Sequence, residues 1–543
     1  MRKIKNFLLK LLLFLLAIIG LPIAKKETAE SVNTGHKAVV TALLSFVVFL
    51  LSLLLFIAIW VRSSFGYISI NSILFTLEFA QDGFTAGDIL ECIAKCFVPA
   101  ISVTYIVMRL IYLSLTYKSI TYKLKKSSAS LTLRFRKLSV PIISTGVCLI
   151  CAVVPLLIIP IVPYIQSLGK GTQIYDNFYV APTSDILTFP EQKRNLVFIY
   201  LESMENTYAD KDNAGAYDEN YIPNLTAMAY DKENVSFSNT DKLGGASCFS
   251  SGMEYTMGAF VASTSGVPAN SPNKLNKKDY KYKSFLPGIA TLEDILHEQG
   301  YNQILIQGST GYFAGMNLYY GRYDDTVFFP YESFTSEGVV DEDYEVFWGV
   351  EDIKVYDYAK QQLGELSKQD EPFALTLFTI DTHRPEGYLC PLCKNEYDEK
   401  YANVISCADR QIADFITWLK EQDFYDNTTV IVMGDHPSMN EKFFADIGNY
   451  RRTTYNCFLN SEAKPFKTNG RVFTSADIFP TTLSAMGVEI KGDRLGLGTN
   501  LFSDRKTLAE EMGGESFVAE LDRQSDYYDE HFWKEKEIKN NGA

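Results

Sequence analysis

Positive charge is scarce over most of this chain. Its 543 residues hold 51 Lys and Arg against 65 Asp and Glu, for a net charge of -14. The deficit lies behind residue 166, where 34 basic residues face 59 acidic ones. A surface of that sign cannot neutralise backbone phosphates, which excludes nucleic acid as a partner. The sequence has no internal repeat and no low-complexity tract, so a repeat array is excluded as well. Cys390-Pro-Leu-Cys393 has no second pair at a spacing that would complete a four-cysteine zinc site. The front lacks a small-residue cleavage site, and its first apolar run therefore reads as an anchor and not a removable signal.

What the front does hold is apolar length and basic charge, with 17 Lys and Arg against 6 Asp and Glu in residues 1–166. Apolar runs cover residues 7–24, 38–60, 97–116 and 140–165. Each approaches or exceeds the roughly 18–20 residues that cross a bilayer as a helix. Arg109 lies near the end of the third run, where its head can snorkel to the lipid headgroups. Lys118, Lys123, Lys125, Lys126, Arg134, Arg136 and Lys137 fill the connection between the third and fourth runs, which the positive-inside rule places in the cytoplasm. The fourth span then delivers the remainder to the outer side. Four spans would leave Arg2, Lys3 and Lys5 outside, and a fifth crossing near residues 67–80 would resolve that conflict. We expect a multi-pass protein of the inner or plasma membrane with an extracytoplasmic rear. Cys248, Cys390, Cys393, Cys407 and Cys457 fall in that rear, where disulfides are permitted, and Cys393 or Cys390 is expected to pair with Cys407.

Behind the connector-like residues 167–192, strand-like runs alternate with helical ones. The run 302–307 follows the amphipathic stretch 291–299, 373–380 follows 350–366, and 429–432 follows 409–422. This alternation predicts an α/β domain with a mostly parallel central sheet flanked by helices. The expected boundaries are a transmembrane domain over 1–166, a connector over 167–192, a catalytic domain over 193–510, and a charged tail over 511–543 that is disordered or a peripheral helix.

Three strand-like runs end in ionisable groups. NLVFIYL ends at Glu202, the run 373–380 ends at Asp381-Thr382-His383, and 429–432 ends at Met433-Gly434-Asp435-His436. Open α/β sheets bind ligands at the carboxyl ends of their strands. Asp435 and His436 offer a hard oxygen and an imidazole nitrogen to one divalent cation. A metal-dependent enzyme also needs a nucleophile whose hydroxyl the cation activates. Ser247, Ser250, Ser251, Thr256, Ser263, Thr264 and Ser265 crowd one segment, and spacing does not choose among them. Thr256 opens the helix-compatible run 256–262, whose first amides would favour a phosphate.

The segments NLVFIYLES, EYTMGAFVAS-x-x-GVP, FAG, FTIDTHRPEGY and MGDHP together resemble the sulfatase-like branch of the alkaline phosphatase superfamily. Within it the chain is most similar to the membrane-anchored phosphoglycerol transferases of periplasmic glucan synthesis, with lipoteichoic acid synthases close by. The resemblance runs from the apolar front to about residue 500, and Cys393 and Cys407-Ala408-Asp409 also fit the transferase branch. It implies Thr256 as nucleophile, with Glu202, Thr256, Asp435 and His436 binding one divalent cation, Mn²⁺, Zn²⁺ or Mg²⁺. It implies His383 as a contact to the phosphoglycerol group or an acid/base. The implied donor is phosphatidylglycerol in the bilayer, and the implied acceptor a glycan or a growing glycerophosphate polymer. Phosphatidylethanolamine as donor, and a non-catalytic sensor or scaffold, are the alternatives. Two departures stand out. Cys248-Phe249-Ser250-Ser251-Gly252 lacks the Pro and Arg of the sulfatase C/S-x-P-x-R motif. Met316 stands where relatives place a Lys or Arg, leaving Arg384 or Arg322 to hold phosphate through a bidentate guanidinium. Tyr312, Phe313, Tyr319, Tyr320, Phe347 and Trp348 are candidates to line an acceptor groove.

Overall fold

The computed structural model describes residues 24–31, 37–65, 69–70, 73–74, 86–124, 130–135, 139–159, 161, 164–165, 171–271, 285–323 and 325–534. Two compact units divide the chain, residues 1–67 with 84–162, and residues 68–83 with 163–543. In the first unit, helix α1 spans Lys37–Phe65, α2 spans Val98–Thr116 and α3 spans Ser139–Ile158. Two helical stretches, Ala38–Ser64 and Ile89–Thr116, are long and apolar enough to cross a membrane, and Ile142–Ile158 is shorter. Val48 of α1 packs with Val107 and Ile111 of α2, while Leu43, Phe46 and Ile101 stay exposed. Helices apolar on every side, buried on only one, suit a lipid solvent. The apolar run 7–24 lies outside the described residues except for Ala24, and so does most of the crossing considered at 67–80.

The connection after the third apolar run is more ordered than its charge suggests. Strand β1 (Ala24–Ser31) pairs antiparallel with β2 (Tyr117–Leu124), which pairs with β3 (Ser130–Arg134). Lys118 and Lys123 bracket Ser119, Ile120, Thr121 and Tyr122 in β2. Ile120 and Tyr122 are buried with Leu113, so β propensity and one apolar face outweigh the basic charge.

The second unit is built on β4 (Asn195–Leu201), β5 (Asn302–Gln307), β6 (Val327–Phe329), β7 (Phe373–Phe378), β8 (Thr428–Gly434) and β9 (Asn456–Leu459), in the order β9-β8-β4-β7-β5-β6. All neighbours are parallel except β9, which runs antiparallel to β8. Every residue of β4 and β8 is buried, as expected of continuous apolar strands covered on both faces. One face sets Phe198, Tyr200 and Ile431 against Met257, Phe260 and Val261 of α4 (Thr256–Ser265). The other sets Val197, Ile199 and Val432 against Val355 of α5 (Asp352–Leu366) and Ile405 and Ile412 of α6 (Lys400–Lys420). The sheet is therefore the expected mostly parallel α/β core. Leu201 pairs with Gly434 and Tyr200 with Phe378, so β4, β7 and β8 end level and the residues after them converge.

Packing joins what composition sets apart. The stretch read as a connector contributes Ile174 and Tyr175 to the core, and Leu187–Thr188 pairs with Glu489–Ile490. The stretch read as a charged tail forms helices Gly514–Leu521 and Asp526–His531, with Phe517, Leu521, Tyr528, Phe532 and Trp533 buried. Tyr175 meets the rings of Tyr528 and Phe532 edge-on at 5.4 and 5.9 Å. Glu515, Asp526 and Glu530 are exposed on these helices, whereas Asp522 turns inward to Ser251.

Candidate active site

At the end of β4 the chain turns sharply, with Ser203 at φ 53°, and this turn lifts the Glu202 side chain over the sheet edge. Glu202 is pinned through its backbone: its amide donates to Thr379 Oγ1 at 2.9 Å, and its carbonyl accepts from Thr382 Oγ1 at 2.5 Å. Both threonines follow β7, so neighbouring strand ends hold each other. At the end of β8, Gly434 has no room for a side chain, because a Cβ there would lie 1.8 Å from the Met204 carbonyl oxygen. That close approach places Asp435 beside Ser203, whose amide donates to Asp435 Oδ1 at 2.7 Å.

The cluster that results is buried. Ligand atoms of Glu202, Asp435 and His436 all lie within 4.8 Å of one another. Thr256 Oγ1, at the start of α4, is 3.3 Å from Glu202 Oε2 and 3.3 Å from His436 Nε2. His436 Nδ1 lies 3.0 Å from the Pro437 carbonyl oxygen, which can only accept, so Nδ1 carries the hydrogen and Nε2 turns to the cluster. Asp435 Oδ2 is buried with no hydrogen-bond partner among the described residues, 3.4 Å from that Nε2. Burial, and next the adjacent Asp435, push the Glu202 carboxyl well above its ordinary range. Burial works against a charged His436, but Asp435 and Glu202 outweigh it and raise the imidazole. Two buried carboxylates, an orphaned oxygen and a free imidazole nitrogen fit a divalent cation, with the Thr256 oxygen in reach as a further donor.

Five of the other six hydroxyls of the segment have partners elsewhere. Ser251 donates to Asp522 Oδ1, Ser263 is 2.7 Å from the Tyr200 hydroxyl, Thr264 is 2.8 Å from the Tyr319 hydroxyl, and Ser265 bonds the Val261 carbonyl. Ser247 sits beside Cys248 Sγ, and Ser250 is buried away from the cluster's contacts. Thr256 alone among them touches the acid–imidazole group.

His383 follows β7, its Nδ1 3.1 Å from the Arg384 carbonyl oxygen and its ring edge-on to Trp348 at 4.7 Å. Burial, then the charges of Arg384 and His436, push its pKa down to about 3, so the ring is neutral at any physiological pH. Phe347 stacks on Tyr388 at 6.1 Å and completes an aromatic wall beside His383.

Two expectations are corrected. Arg322 is not available to a phosphate: its guanidinium pairs with Asp294 and bonds the carbonyls of Tyr319, Ile289, Phe285 and Leu286. Sequence shows the charge of an arginine but not the buried acceptors that consume it. Tyr319 and Tyr320 belong to the core and not to a groove, whereas Tyr312 is exposed and Trp348 flanks His383. Met316 is likewise buried in that core, which accounts for an apolar residue where a cation was expected.

Residues without a sequence signal complete the frame. The Tyr401 hydroxyl of α6 lies 2.8 Å from both the Thr382 carbonyl oxygen and Ser438 Oγ, and Tyr208 bonds the Ser203 carbonyl at 3.0 Å. Below them Arg452 grips Glu205 with two nitrogens, while Glu205 also accepts from the Ser438 amide at 2.7 Å. These contacts tie the loops after β4, β7 and β8 together, and none is foreshadowed by spacing.

Comparison with known proteins follows the same lines. Residues 194–488 match the Sulfatase family. Phosphoglycerol transferase I of Salmonella choleraesuis is 30% identical over 347 residues, which cover 62% of this chain and 42% of that protein. The chain thus spans about two-fifths of the length of the curated relatives it matches. Among solved structures, a Vibrio parahaemolyticus protein of the alkaline phosphatase superfamily superposes with a TM-score of 0.45 at 21% identity, over 60% of this chain and 78% of that one. The lipoteichoic acid synthase LtaP of Listeria monocytogenes gives 0.44 at 18% identity, over 61% and 81%.

Proposed function

We propose, from the premise that this chain belongs to the sulfatase family, that it is a membrane-anchored phosphotransferase moving a phosphoglycerol group from phosphatidylglycerol to a glycan hydroxyl by way of Thr256. The observation that carries this reading is the Thr256 hydroxyl 3.3 Å from both Glu202 and His436 at the first turn of α4. A family member that cleaves sulfate esters by formylglycine needs a convertible Cys or Ser in its motif. Here Cys248 is buried against Ser247 and Arg451 and lacks the flanking Pro and Arg. Phosphate is the better fit, and relatives named phosphoglycerol transferase I support the choice of group.

In the first half of the reaction Thr256 Oγ1 forms a bond to the phosphodiester phosphorus, and the bond to the diacylglycerol oxygen breaks, that oxygen taking a proton from water. The hydroxyl proton departs along its contact to Glu202. The first amides of α4, which have no intrahelical acceptor, face the phosphoryl oxygens. A divalent cation, Mn²⁺, Zn²⁺ or Mg²⁺, held by Glu202, Asp435, His436 and Thr256, would supply a lowered hydroxyl pKa and charge for those oxygens. In the second half an acceptor hydroxyl gives its proton to neutral His383 and bonds to phosphorus. The Thr256–phosphorus bond then breaks, Oγ1 regains its proton from Glu202, and His383 releases the acceptor's proton to water. Arg384, beside His383, binds the phosphoglycerol group. The aromatic wall of Phe347, Trp348 and Tyr388 suits a sugar face. A chain that carries both apolar helices and this site meets a lipid donor at little translational cost, with the site on the outer leaflet.

The test uses full-length protein in phosphatidylglycerol vesicles, with diacylglycerol release as the readout. We expect release from the parent, loss of more than about 10³-fold on Thr256→Ala, and a phosphoglycerol adduct on Thr256 by mass spectrometry. Unchanged turnover in Thr256→Ala would remove that residue from its role. Release from phosphatidylethanolamine alone would replace the donor. No turnover on either lipid would favour a non-catalytic membrane protein.

A further inference from the structure

Outside the site just described, one cluster of side chains remains unused. Cys390 and Cys393 lie in the connection from β7 to α6, and Cys407 lies two turns into α6. Their sulfurs converge: Cys390 Sγ is 3.6 Å from Cys393 Sγ and 3.7 Å from Cys407 Sγ, and all three lie within 4.8 Å of one another. All three are free thiols, where a disulfide from Cys393 or Cys390 to Cys407 had been expected.

We infer that Cys390, Cys393 and Cys407 form a thiolate site for a structural zinc ion, separate from the cation site at Glu202, Asp435 and His436. Tetrahedral Zn–S bonds of about 2.3 Å space thiolates about 3.8 Å apart, whereas a disulfide closes to about 2.05 Å. The observed separations match the first arrangement. A disulfide would also strand the third sulfur, while one thiophilic ion satisfies all three.

A fourth donor stands beside the three sulfurs. The Gln411 side-chain nitrogen faces Cys390 at 3.7 Å and Cys407 at 3.6 Å, and its Oε1 is buried without a partner among the described residues. A half-turn of that amide would offer Oε1 as the fourth ligand, and the present orientation donates N–H to sulfur. The Cys393 amide donates to the Cys390 carbonyl at 3.0 Å, closing a turn in which the Leu392 amide points at the Cys390 sulfur. Cys390 and Cys407 are buried and Cys393 is partly exposed, which gives an ion a way in.

The ion would staple the end of the segment carrying His383 and Arg384 to α6. The same helix holds the start of that segment through Tyr401 and the Thr382 carbonyl. The site therefore positions His383 without touching substrate.

Cobalt(II) titrated into chelator-treated full-length protein in detergent distinguishes the two sites, because only the cysteine site gives sulfur-to-cobalt charge-transfer absorption. We expect that absorption at one equivalent per chain. It should vanish in Cys390→Ser and in Cys393→Ser, and persist in His436→Ala, which disables the other site. Alkylation and intact-mass measurement of the parent, denatured without reductant, should find all three thiols free once the metal is removed. A disulfide among them, or charge-transfer absorption that survives both serine substitutions, would overturn the assignment. So would absence of the absorption from a parent with free thiols.

Discussion

Glu202 and Asp435 are buried side by side, and burying two like charges costs more than either would alone unless a cation joins them. Chelation should therefore lower the thermal midpoint of the soluble unit, and Mn²⁺ or Zn²⁺ should restore it, because an ion bound only by the folded state stabilises by mass action. Asp435→Asn removes one of the two charges, so the chelated variant should unfold no earlier than the chelated parent and gain much less from added metal. Differential scanning with and without metal checks both halves. Equal metal gains in parent and variant would detach Asp435 from the ion. His383 sits in a different field. With its pKa pushed down to about 3, it is in the neutral, proton-accepting form at pH 5 as at pH 8. Protonation of this ring can depress turnover only as pH falls toward about 3, so it adds no acid limb between pH 5 and 8. His383→Gln should slow the step that consumes the Thr256 adduct by about 10²–10⁴-fold while leaving its formation faster. The measurable consequence is a burst of diacylglycerol followed by a slow steady state, with the adduct accumulating. A uniform loss without a burst would move His383 to the first half of the reaction.

At the scale of elements, the site depends on three strand ends held level. Gly434 is the tightest point of that frame, with the Met204 carbonyl occupying the space a Cβ would need. Gly434→Ala must push the Glu202–Met204 turn away from β8, at a cost of about 1–3 kcal/mol typical of overpacking. Expected outcomes are a lowered thermal midpoint and a larger loss of metal-induced stabilisation, since Asp435 and Glu202 separate. A variant with unchanged metal response would show that the turn is more compliant than its contacts imply. The strands themselves were readable in the sequence, because NLVFIYL and TVIVM are continuous apolar runs that end abruptly in acids and histidines, a pattern fixed by burial on both faces. Thr256 was readable as one hydroxyl among seven and was singled out only by resemblance; geometry separates it, since Thr256 alone among them reaches Glu202 and His436, and Ser251, Thr264 and Ser265 spend their hydrogen bonds elsewhere. Arg322 misled for the converse reason, since most of its partners lie 28 to 37 positions away in sequence. The β1–β3 sheet was hidden by lysines, whose charge says nothing of the Ile, Thr and Tyr that stand between them. Tyr401 and the Glu205–Arg452 pair left no trace, because second contacts are chosen by the fold and carry no fixed spacing.

At the scale of the whole second unit, the carboxyl-terminal segment holds the helix that carries Thr256 at both of its ends. Ahead of α4, the amide and hydroxyl of Ser251 both donate to Asp522 Oδ1, at 2.8 and 2.7 Å. Behind it, the Tyr528 hydroxyl donates to the Pro268 carbonyl at 2.7 Å and accepts from the Asn270 amide at 3.0 Å, and Trp533 Nε1 bonds the Asn270 carbonyl. Asp522, Tyr528 and Trp533 all lie beyond the stretch 194–488 that matches the family, so the matched stretch is braced by residues outside it. Removing the chain beyond residue 512 would expose the partners of Phe517, Leu521, Tyr528, Phe532 and Trp533. At about 1.5–3 kcal/mol for each buried side chain, that loss rivals the whole stability of an ordinary domain, about 5–15 kcal/mol. The truncated chain should therefore lose its cooperative unfolding transition and its activity, although every proposed ligand and the nucleophile remain. Tyr528→Phe isolates the brace from the packing. It keeps the ring, removes one hydrogen bond at each of Pro268 and Asn270, and should cost about 1–3 kcal/mol, with turnover falling more than the thermal midpoint alone explains. Circular dichroism and diacylglycerol release measured on the same preparations decide the matter. A truncated chain that still melts cooperatively and still turns over lipid would show that α4 holds Thr256 in place without help from the carboxyl-terminal helices.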